Sequence, residues 1–261
     1  MRFEDKNALI IGGSKGIAAA FATALHVEGA NVLCVSRNKK NLESIKKSVA
    51  KKKRGVFDVF QGDVSNPKLS KEIQKYVTKT LGDIDILILN SGGPQPGLYS
   101  SLSNSDWEFA SQNLLLGQIR IFKEFAPKMA EKGFGRILYL GSTVMQEPSE
   151  SMILSSTLRA AMATYCKAAS ISLAKNGVTV NTISTGGVKT DRLMGLLKNA
   201  AESDGSTIQE KLTQTAETIP MRRIAEPKEF IQLMLFLASE SSSYITGQTI
   251  GVDGGLLKAT F

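Results

Sequence analysis

The sequence predicts an α/β fold: a doubly wound parallel sheet of about seven strands flanked by helices, in a single domain over residues 1–261. Short β-branched and leucine-rich runs alternate with amphipathic stretches along the whole chain, the pattern of strands buried on both faces and separated by helices. A glycine-rich turn lies between the first apolar run and the first helical pattern. No linker or low-complexity tract divides the 261 residues, of which 42% are hydrophobic, enough to bury a sizeable core.

In chain order the expected strands are ALII (8–11), NVLCVS (31–36), VFDVF (56–60), IDILIL (84–89), RILYL (136–140), VTVNTI (178–183) and QTIGV (248–252). Helical patterns occupy about 17–28, 39–53, 67–81, 105–132, 152–175 and 227–238. Pro67, after Ser65-Asn66, suits the first turn of the third helix, and Ser105-Asp106-Trp107-Glu108 fits a capping box. The stretch 191–222 reads as an irregular excursion at the carboxyl ends of the strands, and so as a mobile substrate-side lid. Its Leu193, Met194, Leu196 and Leu197 suit either an apolar pocket wall or simple packing.

Composition excludes several classes. No apolar run approaches the roughly 18–20 residues of a membrane span, and MRFEDKNALII, with its early acids, does not read as a signal peptide. Cys34 and Cys166 read as buried free thiols of a cytoplasmic protein, and with His26 as the single histidine no metal site is expected. The net charge of +8 resides in one segment: Arg37 to Arg54 holds nine basic residues against Glu43, and the rest of the chain is balanced. Leu42, Ile45 and Val49 give that segment an apolar stripe, so its lysines form a solvated helix face. Nucleic-acid binding is the lesser reading, since aromatics for stacking are absent.

Directly after the first strand comes Gly12-Gly13-Ser14-Lys15-Gly16-Ile17-Ala18. Glycines here let the backbone turn sharply and approach a pyrophosphate, whose charge the helix N-terminus favours. In this position the turn indicates dinucleotide binding in a Rossmann-like fold. An NAD-binding fold places a carboxylate at the end of the second strand, whereas this chain has Ser36-Arg37. Arg37, Ser36 and Lys15 suit a 2′-phosphate, which favours NADP(H) over NAD(H).

These motifs resemble the short-chain dehydrogenase/reductase family across essentially the whole chain. Ile11-Gly12 through Ile17 is similar to the TGxxxGIG loop, with Ile11 for the threonine and Ala18 for the last glycine. Asp63-Val64 resembles the pair that holds the adenine, and Leu89-Asn90-Ser91-Gly92 the family's NNAG, its first asparagine lost. Asn113, six residues after Trp107, matches the asparagine that orders a water in the family's proton relay. Thr185-Gly186-Gly187-Val188-Lys189-Thr190 resembles the PGxxxT segment over the nicotinamide, with threonine replacing proline. The stretch Ile219 to Gly255 reads very like 3-oxoacyl-carrier-protein reductases and sugar dehydrogenases of the family.

The resemblance breaks at the catalytic residues. Ser142 fits the family's serine, but thirteen residues on, where the tyrosine belongs, stands Ser155, and at the lysine position stands Arg159. None of Tyr76, Tyr99, Tyr139, Tyr165 and Tyr244 is followed by lysine four residues later. Three readings follow. In the leading one the chain is an NADP(H)-dependent oxidoreductase on a small-molecule carbonyl or alcohol, with Asn113, Ser142, Ser155 and Arg159 as catalytic residues. Its proton comes from water or from a substrate-side acid such as Glu147 or Glu150. In the second it binds NADPH without turnover, as a sensor or partner subunit; in the third its basic helix binds nucleic acid. The resemblance also implies a homotetramer packed through 105–132 and 152–175, where Ala160, Ala161, Ala163, Ala168 and Ala169 permit close approach.

Overall fold

The computed structural model describes residues 1–50 and 55–259. Its strands are β1 (Asn7–Ile11), β2 (Asn31–Ser36), β3 (Phe57–Gln61), β4 (Ile86–Leu89), β5 (Gly135–Leu140), β6 (Val178–Thr185) and β7 (Thr249–Val252). The α-helices are α1 (Gly16–Val27), α2 (Lys39–Val49), α3 (Leu69–Thr80), α4 (Asn104–Ser111), α5 (Gly117–Lys132), α6 (Ile153–Ala174), α7 (Asp191–Asp204), α8 (Ile208–Thr218) and α9 (Ile231–Ala238).

Side-chain alternation along the strands explains the two helix layers. Ala8, Ile10, Val32, Cys34, Ile86, Ile88, Leu138 and Leu140 join one core with α1, α2 and α9. Their neighbours Leu9, Ile11, Leu33, Val35, Leu87, Leu89, Ile137 and Tyr139 join the other, with α3, α5 and α6. A sheet covered on both faces needs apolar residues at odd and even positions alike, hence the continuous apolar runs. All pairings are parallel in the order β3-β2-β1-β4-β5-β6-β7. The chain reverses its winding between β1 and β4, which opens a crevice at their carboxyl ends.

Four expectations change. The stretch 191–222 is not irregular: α7 and α8 fill most of it, the first capped by Thr190 and ending at Gly205, the second opened by a Thr207–Glu210 capping box. The box expected at Ser105 is instead formed by Ser103 and Asp106. Pro67 lies in the turn before α3, which begins at Leu69. The expected helix 105–132 is interrupted by a π-helical segment, Gln112–Leu116, that carries Asn113. Of the basic segment, Lys51, Lys52, Lys53 and Arg54 lie outside the described residues. Among the described residues no helix is long and apolar enough to cross a membrane.

Candidate active site

The crevice at the switch point is a cavity of about 790 Å³, within the size range of small-molecule sites. The cofactor-binding candidates and the four catalytic candidates line it. Gly12, Ser14, Lys15, Gly16 and Ile17 form one end with Ser36 and Arg37; Asp63, Val64, Asn90 and Gly92 follow; Gly186, Val188 and Thr190 close the far side. Asn113, Ser142, Ser155 and Arg159 line the cavity as well.

At the glycine end the fold builds an anion cradle. Gly12 adopts φ +68°, and a Cβ there would come within 2.5 Å of Asn90 Nδ2, so the turn admits no side chain. Lys15 caps α1 without a side-chain hydrogen bond and no acid occupies the first turn, leaving the helix N-terminus available to a phosphate. Ser14 Oγ donates to Ser36 Oγ at 2.8 Å, which ties the loop to the end of β2. Arg37 is 3.9 Å from Asp63 Oδ2, a loose pair with 61% of the arginine side chain exposed, and its fork remains open to a ligand. Lys15 Nζ is hydrogen-bonded to Asp191 Oδ2, bridging the phosphate loop to the first residue of α7. Asp63 itself accepts from the Ser65 amide and hydroxyl, which shapes the turn after β3. A Cβ on Gly117 would lie 2.3 Å from the Val64 carbonyl, so α5 starts in direct contact with that turn. These groups fit a phosphorylated dinucleotide.

The other end is dominated by one cation. Arg159 is 7% exposed. Its Nε donates to Ser155 Oγ at 3.2 Å, one Nη to the Leu140 carbonyl at 3.1 Å and the other to the Ser91 carbonyl at 3.4 Å. The one-turn spacing of Ser155 and Arg159 on α6 makes the first contact, and the carbonyls come from the ends of β5 and β4. Ser142 follows β5 and leads into a short 3₁₀ turn, Thr143–Met145. Asn113 Nδ2 donates to the Phe109 carbonyl at 2.9 Å while its own carbonyl accepts from Gln118 Nε2 at 3.3 Å. The π segment turns this asparagine out of the helical ladder, a frequent device at functional sites.

No tyrosine lines the cavity. Tyr139, in β5, is fully buried in the core against α5 and α6, with its hydroxyl unpartnered among the described residues. Burial pushes its phenol above the ordinary range, and the neighbouring Arg159 charge opposes that rise. Tyr165 packs edge-on against Phe122, Tyr76 bonds Asp58, and Tyr99 and Tyr244 are exposed. Glu147 and Glu150, the acids offered as alternatives to water, stand away from the cavity. Glu147 Oε1 accepts from the Lys258 amide at 2.6 Å.

Sequence reasoning missed Arg192, in the first turn of α7. It lines the cavity and donates from its guanidinium to the Pro94 carbonyl. Its signal was a cation two residues beyond Thr190, at the start of the stretch read as a substrate-side lid.

A sequence-family model described as enoyl-(acyl carrier protein) reductase matches residues 12–257. The NADPH-dependent reductase BacG of Bacillus subtilis (strain 168) is 32% identical over 255 residues, covering 97% of this chain and 98% of the relative. Among solved structures, the NADPH-dependent reductase YwfH, involved in bacilysin biosynthesis, superposes with a TM-score of 0.92 at 32% identity, over 97% of this chain and 99% of that one. L-sorbose reductase from Gluconobacter frateurii, complexed with NADPH and L-sorbose, gives a TM-score of 0.93 at 28% identity, over 99% of both chains.

Proposed function

The chain belongs to the short-chain dehydrogenase/reductase family, and from that premise we propose an NADP(H)-dependent oxidoreductase that works a carbonyl/alcohol pair through Ser142, Ser155 and Arg159, in place of the family's serine, tyrosine and lysine. The glycine loop and α1 N-terminus hold the pyrophosphate, Ser36 and Arg37 the 2′-phosphate, Asp63 and Val64 the adenine. Asn90, Gly92, Gly186, Val188 and Thr190 flank the nicotinamide half. Bound there, the cofactor supplies a hydride to the carbonyl carbon.

The observation that carries the reading is the placement of Arg159. A guanidinium has five N–H donors, and three of its bonds go to Ser155, Leu140 and Ser91, so the fork is held rigidly with donors to spare. A buried, preorganised cation beside a reacting carbonyl stabilises the oxyanion that forms as hydride arrives. Arginine does not give up its proton near neutrality, and a serine hydroxyl is too weak an acid to do so unaided. Among the described residues the carboxylates lining the cavity are Asp63, Asp106 and Asp191, each already bonded to protein groups. The proton therefore comes from water at the carbonyl oxygen, with Ser142 and Ser155 hydrogen-bonding that oxygen and Asn113 orienting the solvent.

Two finer statements accompany this reading. Leu116 is exposed within 105–132 and Ile171, at 72%, within 152–175, which supports a homo-oligomer packed through those stretches. Cys34 and Cys166 are free and buried, which suits a reducing cytoplasm.

The test is Arg159→Ala. Loss of an oxyanion donor costs about 10²–10³ in turnover, so NADPH oxidation with a carbonyl substrate drops at least a hundredfold on that scale while NADPH still binds by fluorescence titration. A wild-type protein that binds NADPH tightly yet turns over nothing in a broad carbonyl and alcohol panel is a non-catalytic NADPH-binding homologue instead.

A further inference from the structure

The reacting end of the cavity carries two guanidiniums. Arg159 comes from α6 and Arg192 from α7, and both line the cavity. Among the described residues neither makes an ion pair: their hydrogen bonds run to the carbonyls of Leu140, Ser91 and Pro94 and to Ser155 Oγ. The acids on the cavity wall are engaged elsewhere. Asp191 is bonded to Lys15, Asp106 caps α4 and accepts from Gln95, and Asp63 braces the turn after β3.

Arg192 is placed by its surroundings. It lies across the loop after β4, where a Cβ on Gly93 would be 2.7 Å from Nε. Its guanidinium donates to the Pro94 carbonyl on the cavity wall, and Arg192 is otherwise exposed, so its remaining donors are accessible to a ligand. Burial and the nearby charge of Arg159 both hold the Arg192 guanidinium below its ordinary value, the sign of two cations sharing one region. Partly desolvated like charges repel, and a ligand anion between them relieves that cost while accepting paired N–H bonds.

We propose that the substrate is a carbonyl compound bearing a carboxylate, with Arg192 as its anion-recognising residue and Arg159 at the carbonyl oxygen. This rests on the oxidoreductase reading above and adds the substrate class to it. The geometry assigns selectivity to α7: the oxyanion function is met from α6, and the lid supplies the charge that separates an oxo acid from its neutral analogue.

The experiment pairs 2-, 3- and 4-oxo acids with their methyl esters as substrates, in the wild type, Arg192→Gln and Arg192→Lys, with NADPH affinity measured for each. A charge-assisted, two-point contact predicts an acid-over-ester preference in kcat/KM of about tenfold or more. That preference falls towards parity in Arg192→Gln and is partly restored in Arg192→Lys, through KM and with NADPH affinity unchanged. Esters reduced as well as acids by the wild type overturn the inference and leave the oxidoreductase reading standing. A loss of NADPH affinity in Arg192→Gln also overturns it, because the guanidinium then serves the cofactor pyrophosphate. Calorimetry of the same oxo acids against the NADP⁺-bound protein separates the two readings. Binding that disappears in Arg192→Gln, without turnover, upholds the anion site and removes the reductase; no binding of any oxo acid overturns the site.

Discussion

Arg37 sits where a carboxylate would hold ribose hydroxyls, and its one acidic neighbour, Asp63, is 3.9 Å away. Such a loose, exposed pair contributes little by itself, so the guanidinium is available to a phosphate at small cost. Arg37→Asp removes that donor fork and sets a second carboxylate beside Asp63. NADPH affinity is expected to fall about tenfold to a hundredfold, the range of a lost charge-assisted contact, while NADH affinity rises. Paired titrations check this, and equal affinity of the wild type for both cofactors would remove its basis. At this scale the sequence showed residue types and spacing but not partners. Ser155 and Arg159 were legible as one-turn neighbours because a helix imposes that contact. The carbonyls that fix the arginine, on Leu140 and Ser91, come from chain segments that only the sheet order brings together. Arg192 was overlooked for the same reason: its partner Pro94 belongs to a different strand-end loop.

Helices α7 and α8 show why helical signals can be present yet unread. α8 has no fully buried residue, and its apolar stripe is thin: Ile208, Leu212 and Ala216 at one-turn spacing. Its evidence was in its ends: Gly205 with φ +74°, then Thr207 accepting from the Glu210 amide while the Glu210 carboxylate accepts from the Thr207 amide. The helix therefore depends on its cap more than a core helix does. Thr207→Ala is expected to cost about 1 kcal/mol, expressed as local opening rather than global unfolding. Hydrogen exchange should quicken at the first amides of α8 with the transition temperature nearly unchanged; a global shift with unaltered exchange would place α8 within the cooperative core. The π segment in the expected 105–132 helix was not legible, since no residue type marks an extra residue in a turn. It carries Asn113, which lines the cavity.

Across the whole molecule, the parts read correctly were those imposed by burial. Strands β1, β2, β4 and β5 are covered on both faces, so their apolar runs had to be continuous and their connections helical. The β1–β4 switch then follows from winding alone, and the glycine loop, the β2 end and the β6 segment meet at one crevice without any contact being specified in advance. That convergence makes stability depend on the cofactor. A ligand that binds only the folded chain adds about 2.7 kcal/mol at one hundred times its Kd, and a domain of this size shifts roughly 2–4 °C per kcal/mol. NADPH at that concentration should raise the transition temperature by about 5–10 °C on those scales. NADH at the same concentration should raise it less, and the difference should vanish in Arg37→Asp. Differential scanning calorimetry decides the matter: an equal rise from both cofactors refutes the 2′-phosphate role of Arg37, and no rise from either refutes dinucleotide binding at this crevice.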